Sequence, residues 1–150
     1  MSDVLIKDDL AWTWYQNRNI SNIDKNKCGK WMYFFRDDGK GIEFVKDKCR
    51  EAVQRGIVEC AKHNNAKSLK AIGTGVACFY LNYDDTERHQ NVIQFLLDNG
   101  MIQKTKVGKL YNNSFKLDSQ TSSDEYGKDY VPVLKLENFI DLETGRLRDV

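Results

Sequence analysis

The stretch Lys30-Trp31-Met32-Tyr33-Phe34-Phe35-Arg36, followed by Asp37-Asp38-Gly39-Lys40-Gly41, decides the fold class. A near-continuous aromatic run fits a pleated, largely buried surface, so it predicts a central strand. The acids and glycines after it supply turn chemistry. Beyond the turn the period changes: Ile42, Val45, Cys49, Ala52 and Val53 recur at spacings of three and four. That is one apolar face of a helix, over Ile42 to Arg55, with Gly56 as the residue that ends it.

Working outward, Leu10-Ala-Trp-Thr-Trp-Tyr-Gln16 alternates, with Trp12 and Trp14 on one face and Thr13 and Tyr15 on the other. This predicts a second strand. Asn17 to Lys27 offers no apolar face and reads as a loop. Ile57 to Ala61 reads as a short strand broken by His63-Asn64-Asn65, and Gly75 to Leu81 as a strongly apolar one. Asn82 to Asp85 is a polar exit whose acids, with Thr86, cap a second helix from Thr86 to Asn99, stopped at Gly100. Met101–Thr105 and Leu110–Leu117 are candidate strands, and Ser119–Lys128 is a polar loop. Tyr130–Leu136 is a strand limited to an edge by Pro132. From about 137 onward the chain reads as a terminal helix or a mobile end.

These elements predict one α+β domain over residues 1–150: a curved antiparallel sheet backed by two or three helices, its other face concave and wet. The 150 residues are 41% hydrophobic, enough for a core. Twenty-three basic and 22 acidic side chains leave a net charge of +1, which argues against coating duplex DNA or an anionic membrane by bulk charge. No run approaches 18 apolar residues, and acids occupy the N-terminus where a signal peptide needs bases. A soluble cytoplasmic protein with reduced thiols is therefore expected. No CxxC pair occurs among Cys28, Cys49, Cys60 and Cys78, and Cys49 and Cys78 read as core residues.

Catalytic signatures for nucleotide, serine or zinc chemistry are absent. The two histidines have no neighbour at metal-ligand spacing. His89 reads as a boundary residue of the second helix, and His63 as a loop histidine. The pairs Asp8-Asp9, Asp37-Asp38 and Asp84-Asp85 fall in turns and caps, where acids are favoured for backbone reasons. No cofactor or metal is implied, and a non-enzymatic role is favoured. The aromatic and basic residues carry more. An exposed tryptophan beside cations makes a stacking platform for a nucleobase. Lys30, Lys62 and Lys116 fall at predicted strand ends, where they can converge on phosphate.

The order of several motifs is similar to that of an uncharacterised family. They are Gly29-Lys30-Trp31-Met32, the helix ending at Gly56, Ala61-Lys62, Gly75-Val-Ala-Cys-Phe-Tyr80, Asn99-Gly100, and Phe115-Lys116-Leu117-Asp118 with Thr121 and Tyr126. The family is related to the basophilic leukemia-expressed protein, with a fold like the cap-binding translation initiation factor 4E. The resemblance spans about Trp14 to Tyr126. It implies a curved antiparallel sheet backed by helices and no established reaction. Lys30, Trp31, Lys62, Lys116, Asp118, Thr121 and Tyr126 are the family-typical positions. His63-Asn64-Asn65 departs from the pattern, and no counterpart of the cap-binding tryptophan–glutamate pair is present. Fold likeness transfers no function by itself.

The leading expectation is a non-catalytic module that binds a nucleotide or a phosphorylated nucleic-acid end. Lys30, Lys62 and Lys116 would hold phosphate, while Trp31 or Trp14, together with Tyr126, would contact the base. Asp118 and Thr121 would add selectivity, with His63 in the same site. The alternative is a small protein-interaction regulator or inhibitor, such as a bacterial or phage counter-defence protein, using exposed Tyr and Trp as anchors. A third reading is a weak nucleotide-processing enzyme with His63 or Asp118 in acid–base work.

Overall fold

In the computed structural model the chain is described over residues 4–118 and 134–148. Seven strands and three α-helices lie among these residues: β1 (Leu5–Asp8), β2 (Trp12–Gln16), β3 (Cys28–Arg36), α1 (Lys40–Gln54), β4 (Cys60–Asn64), α2 (Ala66–Ile72), β5 (Thr74–Asn82), α3 (Thr86–Asp98), β6 (Ser114–Leu117) and β7 (Leu134–Lys135). The strands form an open antiparallel sheet in the order β1-β2-β4-β5-β3-β6-β7, so the α+β class holds. No helix among the described residues is long and apolar enough to cross a membrane.

The chain divides into two compact units that share β3 and β5. The first holds residues up to Ile23 with Met32–Tyr80. In it, β2 obeys its sequence alternation: Thr13 and Tyr15 are buried while Trp12, Trp14 and Gln16 are partly exposed. The buried face meets α1, whose Val45, Cys49, Ala52 and Val53 are the residues spaced for it. Asn17 closes this contact by donating from Nδ2 to the Val53 carbonyl at 3.4 Å. Helix α1 ends as its sequence predicts, with Gly56 at φ +73°.

Three features of this unit differ from the sequence reading. Strand β4 lies three residues later than expected and carries His63 and Asn64 inside it rather than in a turn. Asn65 instead caps α2, accepting from Ser68 N at 2.9 Å, and α2 has no counterpart in the periodicity because only Leu69 of its seven residues is buried. Strand β1 is exposed along its length and so leaves no alternating signature.

The second unit holds Asp24–Trp31 with Leu81 onward. Helix α3 is capped by Asp85, which accepts from Arg88 N at 3.2 Å, and buries Val92, Ile93, Phe95 and Leu96. Met101–Thr105 forms no strand; Lys104 makes one bridge to Leu110. Residues 138–148 pack within the second unit. Phe139 and Ile140 are buried, Ile140 bridges Leu147, and Arg148 N donates to the Phe139 carbonyl at 2.7 Å. The expected strand before Leu134 and the loop Ser119–Lys128 fall outside the described residues.

Gly29 marks the tightest packing here. A Cβ at this position would run into the Phe115 ring and lie 2.6 Å from the Lys116 carbonyl oxygen. Gly29→Ala is expected to destabilise the protein by about 1–3 kcal/mol through overpacking, measured as a lower urea midpoint at unchanged slope.

Candidate functional site

The exposed face of β2 and its neighbours builds an aromatic group in the first unit. Register places Lys7, Trp14 and Lys62 opposite one another across β1, β2 and β4, and strand pleating sends all three to one face. Trp12, two residues from Trp14, shares that face, as does Tyr80, which sits opposite Cys60. The Lys62 ammonium lies 3.9 Å from the Trp12 ring centroid, 4.7 Å from Trp14 and 5.7 Å from Tyr80. Trp14 and Tyr80 stack with centroids 6.0 Å apart and planes inclined by 21°. A lysine held against three electron-rich faces gains cation–π attraction from each.

Asp9 fixes this arrangement from the ring edge. Its Oδ2 accepts the Trp14 indole N–H at 2.8 Å. Its Oδ1 accepts the backbone N–H of Ala11 at 3.0 Å and of Trp12 at 2.8 Å. The Trp14 hydrogen bond, followed by the two backbone donors, holds the Asp9 carboxyl below its ordinary pKa. Lys7, Asp8, Asp9, Trp14 and Gln16 line a groove of about 320 Å³ along β1 and β2.

Lys30, Lys116 and Asp118 form a separate group in the second unit. Lys30 and Lys116 are directly opposed across β3 and β6. Like charges in that position repel, and Asp118 offsets this with a 2.9 Å ion pair to Lys30. The Cys28 thiol lies 3.8 Å from the other Asp118 oxygen.

Two expected site residues belong to the core instead. Trp31 is 1% exposed, and its indole N–H donates to His89 Nδ1 at 3.0 Å. It packs among His89, Phe115 and Phe139, so its ring has no open face for a base. His63 is fully buried in β4, not in a solvated turn. Its Nδ1 lies 2.8 Å from the Asn64 carbonyl, which only accepts, so Nδ1 carries the proton and Nε2 accepts the Tyr15 hydroxyl at 3.0 Å. Burial pushes the His63 pKa down and the Tyr15 phenol up. His89 is likewise fully buried rather than at a boundary, with Nε2 3.0 Å from the Tyr83 carbonyl. Thr121 and Tyr126 lie outside the described residues.

Of the expected residues, the structure thus brings Trp14 and Lys62 together in one group and Lys30, Lys116 and Asp118 in another. Trp12, Tyr80, Lys7 and Asp9 join the first group without having been singled out. Trp12 was legible, because alternation already put it on the Trp14 face. Tyr80 and Asp9 needed the pairing of β5 with β4 and the turn before β2. Among the described residues no three His, Cys, Asp or Glu side chains gather in a way that could hold a metal ion. No family model and no curated protein matches this chain.

Proposed function

We propose that this chain is a non-catalytic module that binds a nucleotide or a phosphorylated nucleic-acid end, on an initiation factor 4E-like sheet. The observation that carries this reading is the Lys62 ammonium set against Trp12, Trp14 and Tyr80 on one strand face. Tryptophan rings and a nearby cation are the elements with which proteins hold unpaired bases. Both histidines have their ring nitrogens engaged inside the core, which favours binding over acid–base chemistry.

Calorimetric titration with mono- and dinucleotides and 5′-phosphorylated short RNAs tests the reading. Trp12→Ala and Trp14→Ala are each expected to weaken binding by about tenfold or more, at unchanged far-ultraviolet dichroism. Absence of binding by every one of these ligands overturns it.

A protein-interaction role is the second reading, favoured by β1. This strand ends the sheet order and exposes Leu5 and Ile6, and a partner strand can pair with such an edge. A flat nucleotide titration, together with a stoichiometric protein partner lost on Ile6→Pro, would select it.

A further inference from the structure

Trp14 separates two different environments. On the β4 side stand Lys62 and Tyr80, which occupy that flank of the ring. On the β1 side lies the groove lined by Lys7, Asp8, Asp9, Trp14 and Gln16. We propose that this groove is the base subsite, in which an uncharged nucleobase stacks on Trp14 and is read through its ring edge rather than through phosphate. The proposal rests on the nucleotide reading above and deepens it by naming the moiety recognised.

Three observations carry it. The first is charge. Among the described residues, Lys7 is the one cation lining the groove, beside Asp8 and Asp9, while Lys62 stands on the other flank of Trp14. With no excess of positive charge the groove gives a phosphate little advantage, while stacking on an indole acts on any base. The second is hydrogen-bonding capacity. Among the described residues, the Lys7 ammonium and the Gln16 carboxamide have no side-chain partner. Gln16 offers one acceptor and two donors and Lys7 three donors, enough to meet the polar edge of a heterocycle. The Asp9 oxygens, by contrast, are already taken up by three N–H donors. The third is preorganisation. Asp9 fixes the indole in its own plane through the N–H, and Lys62 backs its face, so the ring is set before a ligand arrives. Asp9 is thus a positioning residue that acts through Trp14. Lys62 does the same, as a support for the rings.

The test compares adenosine, guanosine, uridine and their 5′-monophosphates by titration followed on the three indole N–H resonances, assigned by single Trp→Phe variants. At least one nucleoside is expected to bind within about threefold of its monophosphate, at both low and high salt, with the Trp14 resonance moving most. Asp9→Asn separates the two tasks of the carboxylate. Its remaining oxygen still accepts from Ala11 and Trp12, whereas its NH₂ opposes the Trp14 N–H. This variant is expected to shift the free Trp14 resonance, to keep the folded dichroism spectrum and to bind nucleoside about tenfold more weakly. Nucleotide binding without nucleoside binding, or with the Trp14 resonance unmoved, overturns the subsite and leaves the nucleotide reading standing. An Asp9→Asn variant that binds as tightly as the parent also overturns it. Failure of every nucleoside and nucleotide to bind removes both.

Discussion

Trp31→Ala is expected to unfold the second unit rather than to abolish ligand binding in a folded protein. The indole is 1% exposed and packs against His89, Phe115 and Phe139. Removing a buried aromatic of this size costs about 3–5 kcal/mol. It also leaves His89 Nδ1 buried without its donor, a further penalty of about 1–3 kcal/mol. Against a typical domain stability of about 5–15 kcal/mol, that is a large share. Trp31→Phe keeps most of the ring and loses only the N–H, so its cost is expected to be about 1–3 kcal/mol. Urea melts of the two variants measure both. A Trp31→Ala protein with near-parent stability would return Trp31 to the list of candidate ligand contacts.

Mild acid is expected to destabilise the protein, with His89 as the largest identified contributor. Burial holds its pKa down at about 4, whereas an unfolded imidazole protonates near 6.5. Between these values the unfolded chain takes up a proton that the native protein does not, so stability is full above about pH 6.5 and falls as pH drops toward 4. The difference amounts to about 3 kcal/mol across that window. His63 adds to the same trend, its pKa being lowered by burial in β4. The hydrogen bonds explain why a proton is resisted. His89 Nδ1 must accept from Trp31 and His63 Nε2 from Tyr15, and a protonated ring can do neither. Chemical denaturation from pH 7.5 to 4.5 should show the loss. His89→Gln should flatten the profile while lowering the plateau. A parent protein equally stable at both ends would refute the assignment.

Much of the fold was legible because its signals are local. The apolar spacing from Ile42 to Val53 gave α1, and the capping acids before Thr86 gave α3, each within two residues. The alternation Trp12-Thr13-Trp14-Tyr15 gave both β2 and the division of its faces. The failures have a common cause in weak local pattern. β1 is wholly exposed, α2 buries one residue, and the polar triplet His63-Asn64-Asn65 resembles a turn. His63 and Asn64 nevertheless lie in β4, because partners distant in sequence satisfy them. Tyr15 takes the imidazole, and Asn64 Oδ1 accepts from Val76 N at 2.7 Å.

The candidate site divides in the same way. Sequence by itself determined that Trp12 and Trp14 share a face, that lysines stand near aromatic strands, and that the chain is an α+β protein with no excess of charge. These follow from pleat, helical period and composition, which are properties of neighbouring residues. Only tertiary structure decided which tryptophan faces solvent and which is core. Trp31 and Trp14 both sit in aromatic strands; one meets His89 and Phe139 across 58 and 108 residues of chain, the other meets Lys62 and a groove. Strand pairing sets that difference, because it fixes which distant side chain lies opposite each ring, and burial or exposure follows from the partner.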